Sequence, residues 1–150
     1  LIVTGVQTCA LPISKDRPMT QLSNQTQNTM PHAIIVEDEE SLSTIFRKAI
    51  NMAGYSVEVF SNGQDALNRL EDSIPNLLLL DLHLPQVMGD EIIDTIRENP
   101  DFDETRIILA TADARFGTHI ESKADLVLIK PIRFSTLKKL AARLNPLTLH

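Results

Sequence analysis

Four short apolar runs in this sequence each end on residues that can do chemistry. Ala33-Ile34-Ile35-Val36 is followed by Glu37 and Asp38, and Leu77-Leu78-Leu79-Leu80 by Asp81. Arg106 to Ala110 leads to Thr111, and Leu126 to Ile129 leads to Lys130-Pro131. Three carboxylates brought together repel, so such a site either raises a pKa or holds a cation. Hard oxygen donors in an incomplete cage suit Mg²⁺, which keeps several waters and takes one or two direct carboxylates. With a metal bound, Asp81 is a nucleophile for an electrophilic phosphorus, since aspartate carboxylates form acyl phosphates. An in-line transition state at phosphorus then needs its equatorial oxygens neutralised. Mg²⁺, the Lys130 ammonium and the Thr111 hydroxyl are the chemical types for those contacts.

Taken singly, each residue has a plainer explanation. Glu37 to Glu40 supply favourable negative charge at a helix N-terminus, an Asp after a strand is a common turn former, and Lys130 is an ordinary surface type. The plain explanations do not account for four placements at the end of four apolar runs.

The elements between these runs decide whether the residues meet. Each run reads as a parallel strand buried on both faces. Helical spacing joins Leu42, Ile45, Phe46, Ala49, Ile50 and Ala53, with Gly54 as the stop. Tyr55 to Phe60 alternates, with Tyr55, Val57 and Val59 on one face, and reads as a more exposed strand. A helix is predicted over 64–72, with Ser61 or Asn62 as N-cap, and another over 89–98, inward at Ile92, Ile93 and Ile96 and ended by Asn99-Pro100. Residues 114–123 give a short, weakly patterned helix. The last helix, 135–144, has Leu137, Leu140, Ala141 and Leu144 inward. The order βαβαβαβαβα, with connections too long for hairpins, implies an α/β fold with a parallel sheet between helices. Ligands of such sheets bind outside the carboxyl ends of the strands, near the topological switch point, where all five chemical groups fall.

Length and composition agree. The chain has 150 residues, 43% hydrophobic and 23% charged, with a net charge of −6, which suits one globular domain. No apolar run approaches the roughly 18 residues of a membrane span, so a soluble, cytoplasmic protein is expected. A single cysteine, Cys9, excludes a disulfide framework or cysteine-rich zinc site, and the acidic balance argues against a dedicated nucleic-acid binder. Residues 1–14 lie outside the expected fold: Val3 to Ile13, VTGVQTCALPI, resembles a translated sequencing-library adaptor, an artefact that would leave Cys9 without biology. Residues 15–31 are polar and aperiodic and read as a disordered tail, with Met19 and Met30 as candidate starts. Residues 145–150 read as a C-terminal tail.

Residues 32–144 resemble the receiver domain of bacterial two-component response regulators. The segments that carry the resemblance are IIVEDEE (Ile34 to Glu40), LLLLDLHLPQVMGDE (Leu77 to Glu91), ILATAD (Ile108 to Asp113) and LIKPI (Leu128 to Ile132). The resemblance implies a flavodoxin-like, doubly wound (βα)5 fold with strand order 2-1-3-4-5. It implies that a sensor histidine kinase or phosphotransfer protein donates a phosphoryl group to Asp81. Mg²⁺ would be held by Glu37, Asp38, Asp81 and the backbone carbonyl of His83. Thr111, Ala112 and Lys130 would contact the phosphoryl group, while Pro85, Gly89 and Pro131 shape the loops, the Lys130-Pro131 bond often being cis in the family. The function implied is phosphoacceptor signalling, with catalysis limited to the domain's own phosphorylation and dephosphorylation.

The sequence departs from the family pattern in three places. Val127 stands where the family usually has an aromatic switch residue, the stretch from Thr111 to Lys130 is short, and Glu37 replaces the commoner Asp. His83 and Asp113, each two residues beyond a key residue, are expected to tune phosphoryl lifetime by controlling water access. Lys138, Lys139 and Arg143 put basic charge on the last helix. Since the sequence ends soon after, a single-domain response regulator acting through partner proteins, without nucleic acid or membrane, is expected. The alternative is a receiver-like interaction module that works without phosphorylation. A haloacid-dehalogenase-type phosphatase would need an Asp where His83 stands. A flavodoxin would need a glycine- and hydroxyl-rich loop where Glu37 to Glu40 stand, and no GxxxxGK[ST] motif supports a P-loop NTPase.

Overall fold

A computed structural model describes residues 29–113, 115 and 117–148. The expectations for residues 1–28, including the adaptor-like segment, Cys9 and Met19, lie outside the described residues. Five strands, β1 (His32–Val36), β2 (Ser56–Phe60), β3 (Leu77–Asp81), β4 (Arg106–Thr111) and β5 (Leu126–Ile129), alternate with α1 (Glu40–Met52), α2 (Gly63–Asp72), α3 (Gly89–Glu98), α4 (Thr118–Glu121) and α5 (Phe134–Leu144). A single 3₁₀ turn, Pro100–Phe102, comes after α3. All strand pairs are parallel and the sheet order is β2-β1-β3-β4-β5. This is the flavodoxin-like order that the family resemblance implies.

The uniform leucines of β3 reflect its central place. Side chains alternate between faces, and both faces are covered. Leu78 and Leu80 join Ile34, Val36, Ile107 and Leu109 beneath α2 and α3, where Ala66, Leu70, Ile92, Ile93 and Ile96 close the layer. Leu77 and Leu79 join Ala33, Ile35 and Ile108 beneath α1 and α5, against Phe46, Ala49, Ile50, Leu137 and Ala141. Every side chain of β3 is buried.

The helix ends obey their local chemistry. Asn62, the second of the two N-cap candidates, accepts a hydrogen bond from the Asp65 N–H at 2.9 Å. Gly54 takes φ +92°, a left-handed conformation that lets the chain leave α1.

Several expectations shift in detail. Tyr55 precedes β2 rather than opening it and is fully buried, its hydroxyl donating to the Ala141 carbonyl at 3.2 Å. The helix expected over 114–123 contracts to Thr118–Glu121, because that stretch has too few apolar positions to bury a longer face. Ala114 lies outside the described residues. Ile45 is exposed and Leu140 half-exposed, since each sits at the edge of its helix's inward stripe. Pro31 and Asn145 belong to the packed body. The Pro31 carbonyl accepts from Ser56 N–H, and buried Asn145 donates to the Ala53 carbonyl at 3.0 Å.

The loop from β3 to α3 is held by two close backbone approaches. A Cβ on Gly89 would lie 2.2 Å from the Asp81 carbonyl oxygen, and one on Gly63 would lie 2.3 Å from the Val87 carbonyl oxygen. Between them Val87 N–H bonds back to the Pro85 carbonyl, with Gln86 at φ +69°. Gly89→Ala therefore forces β3 and α3 apart directly behind Asp81. Urea unfolding should show a loss of about 1–3 kcal/mol, whereas unchanged stability would mean that the backbone yields at no cost.

Candidate functional site

Strand register places the polar residues. Val36 pairs with Leu80, Asp81 with Ala110, and Thr111 with Ile129. Glu37, Asp81, Thr111 and Lys130 thus emerge at one edge of the sheet, at the carboxyl ends of β1, β3, β4 and β5. Glu37 N–H is tied to the Phe60 carbonyl, and Lys130 N–H to the Thr111 carbonyl at 2.8 Å. The Lys130-Pro131 peptide is cis. Glu37, Asp81 and Thr111 are buried, whereas Asp38, His83, Pro85, Ala112 and Pro131 are exposed.

Lys130 organises the centre. Its ammonium donates to Asp81 Oδ2 at 2.7 Å and lies 2.8 Å from Glu37 Oε2. The other Asp81 oxygen, Oδ1, accepts the His83 backbone N–H at 2.9 Å, and Glu37 Oε1 accepts that of Glu39 at 3.3 Å. Glu37 is 1% exposed, and burial pushes its carboxyl above the usual range despite the opposing pull of Lys130. Burial works against the charge on Lys130, but the hydrogen bond to Asp81 and the close carboxylate of Glu37 outweigh it and hold the ammonium above its usual range.

The donor set fits a hard divalent cation. Glu37, Asp38 and Asp81 each offer a carboxylate oxygen, all within 4.8 Å of one another. Buried Glu37 Oε2 has no aligned hydrogen-bond donor, since the approach of Lys130 is an ion pair without hydrogen-bond geometry. One exposed and two buried carboxylates match the few direct ligands and retained waters that Mg²⁺ takes.

Thr111 is engaged elsewhere in this conformation. Its hydroxyl donates to the Asp113 carbonyl and accepts the Asp113 N–H, each at 3.2 Å. It borders a cavity of about 210 Å³ that reaches His83, Asp113, Arg115 and Ile120 but not the carboxylate centre. Val127 is half-buried and packs into the core with Ile120 and Ala124. Two arginines carry contacts that no sequence pattern announced. Arg97 donates to the carbonyls of Lys123, Phe102 and Thr105 and pairs with Asp125, fastening the segment after α4 to α3. Arg115 grips Asp113; the spacing Asp-x-Arg was the only available signal.

The response regulator receiver domain family model matches residues 33–142. The phosphate regulon transcriptional regulatory protein PhoB of Rhizobium meliloti is 34% identical over 115 residues, 75% of this chain and 50% of that protein. AfsQ1 of Streptomyces coelicolor, a transcriptional regulatory protein, is 32% identical over 107 residues, 69% of this chain and 46% of that protein. The chain spans about half the length of the curated relatives it matches. Among solved structures, the receiver domain of a LuxO-type repressor from Vibrio parahaemolyticus superposes with TM-score 0.69 at 31% identity, covering 77% of this chain and 89% of that one. The response regulator TrrA of Thermotoga maritima, solved with Mg²⁺-BeF, gives TM-score 0.68 at 26% identity, covering 77% and 99%.

Burial of Glu37 makes a prediction for the metal-free protein. Its folded pKa lies above the ordinary value of 4.5, so the folded state binds its proton more tightly than the unfolded state does. Its contribution to stability must therefore fall as pH rises from that value through the raised one. Glu37→Gln should remove this fall and be the more stable protein at neutral pH, the difference vanishing in acid. Urea titrations in chelator between about pH 4 and 8 measure it; identical pH profiles would show that ionised Glu37 is fully compensated.

Proposed function

Because this chain belongs to the response regulator receiver domain family, we propose that Asp81 accepts a phosphoryl group from the phosphohistidine of a sensor histidine kinase or phosphotransfer protein. The observation that carries the reading is the centre in which Asp81 Oδ2 sits 2.7 Å from Lys130 Nζ beside the carboxylates of Glu37 and Asp38.

The chain's own groups divide the work. An Asp81 oxygen forms the new bond to phosphorus as the nitrogen–phosphorus bond breaks, and the histidine leaves with the electron pair. The His83 N–H on Oδ1 fixes the carboxylate's orientation before attack. Lys130, already on Oδ2, meets the incoming phosphoryl oxygens without crossing the site. The Thr111 hydroxyl exchanges the Asp113 carbonyl for a phosphoryl oxygen, and Ala112 adds no bulk beside it. Glu37, Asp38, Asp81 and the His83 carbonyl would hold Mg²⁺, which when bound neutralises charge on the transferring group.

On this reading the chain is a phosphoacceptor whose catalysis is confined to its own phosphorylation and dephosphorylation. It is a cytoplasmic signalling protein acting through protein partners. Among the described residues no helix is long and apolar enough to cross a membrane.

Intact-mass measurement after incubation with acetyl phosphate tests the proposal. We expect one added phosphoryl group in the presence of Mg²⁺, little after chelation, and none in Asp81→Asn. A folded wild-type protein that takes up no phosphate would favour the phosphorylation-independent module, for which Val127, packed in the core in place of an aromatic, is the supporting observation.

A further inference from the structure

A phosphodonor approaching Asp81 meets a negative entrance. Beyond Glu37, Asp38 and Asp81, the adjoining cavity is bordered by Asp90 and Asp113. Lys130 is committed to Asp81 and Glu37. Asp113 lies two residues after Thr111 and holds that hydroxyl through its backbone, so its charge lies next to the hydroxyl proposed to meet a phosphoryl oxygen.

Among the described residues, Arg115 makes the hydrogen bonds to the Asp113 carboxylate. Arg115 donates its backbone N–H to Oδ1 at 2.9 Å, its Nε to the same oxygen at 3.1 Å and its Nη2 to Oδ2 at 3.2 Å. Both carboxylate oxygens are engaged by one guanidinium fork, the arrangement that best disperses a carboxylate's charge. These bonds, with a smaller contribution from His83, hold the Asp113 carboxyl below its usual range, and Arg115 supplies most of the compensating charge. The Arg115 side chain is 89% exposed. Such a pair contributes little to folding, but it sets the charge that an arriving ion meets.

We propose that Arg115 is a positioning residue for donor selection, which by neutralising Asp113 beside Thr111 favours doubly charged phosphodonors at Asp81. The inference rests on the reading of Asp81 as phosphoacceptor. The step it gates is balanced: with acetyl phosphate, the Asp81 oxygen–phosphorus bond forms, the phosphorus–oxygen bond to the acyl group breaks, and acetate leaves with the electron pair. Arg115 takes no part in that exchange.

The test is a mutant cycle on the full chain, read as the second-order rate of phosphate incorporation with Mg²⁺. Acetyl phosphate is the dianionic donor and phosphoramidate the singly charged one. Arg115→Ala should slow labelling by acetyl phosphate roughly tenfold, the scale of electrostatic steering at a charged cleft. Labelling by phosphoramidate should slow clearly less. The double variant Asp113→Asn/Arg115→Ala should recover most of the wild-type rate with acetyl phosphate, because the uncovered charge is gone. If the double variant stays as slow as Arg115→Ala, or both donors slow equally, the pair is a structural latch and the proposal is overturned. It is equally overturned if Arg115→Ala labels at the wild-type rate. Failure of wild type to label with either donor overturns the phosphoacceptor reading itself, a different result from any change confined to the variants.

Discussion

Holding three carboxylates at one edge of a buried sheet is the constraint on which this structure turns. Two of them, Glu37 and Asp81, are buried, and like charges so placed resist ionisation unless a cation joins them. Lys130 is that cation. It comes from the end of β5, two strands away from β3 in the sheet, so the carboxylates gain this counter-charge only when the sheet has assembled in register. The site is therefore a report on the tertiary fold rather than on any local motif.

The remaining architecture serves that assembly. A parallel sheet covered on both faces brings all five strand ends to one edge without exposing the ladder to water. The glycines at 63 and 89 let backbone approach backbone around the loop after Asp81, which fixes the carboxylate from behind. On the far side, the Arg97 contacts to three carbonyls and Asp125 hold the segment after α4 against α3. With α4 reduced to Thr118–Glu121 and Val127 in the core, this face is secured by polar links more than by apolar packing. Glu37 Oε2 meets Lys130 as an ion pair rather than an aligned hydrogen bond. One ammonium thus offsets only part of the charge of the three carboxylates.

Much of this was legible in the sequence because it depends on short-range rules. Uninterrupted runs such as Leu77 to Leu80 signal strands buried twice, and their alternation with amphipathic helices dictates the parallel sheet. The first residues beyond each strand must then lie at one edge, so Glu37, Asp38, Asp81, Thr111 and Lys130 could be grouped without coordinates. The misplaced features depend on partners distant in sequence. Tyr55 looks like an exposed strand residue until α5 supplies the Ala141 carbonyl for its hydroxyl. Asn145 looks like tail until Ala53 accepts its amide proton. Gly117 stands immediately before α4 and Ile120 is its one core-packed residue among those described, so pattern alone could not set the length of α4. Arg115 was silent because an arginine two residues from an aspartate is commonplace; only the fork on both oxygens distinguishes it.

Asp81 is the proposed destination of the phosphoryl group, and its neighbours are arranged to receive it. Reduction of the phosphorylated protein with borohydride converts an aspartyl phosphate to homoserine, and peptide mass spectrometry then reads its position. The expected product is homoserine at position 81 alone. Homoserine at Asp38 or another aspartate position, the corresponding alcohol at Glu37, or a phosphoryl group that survives reduction on a histidine or hydroxyl would contradict the assignment.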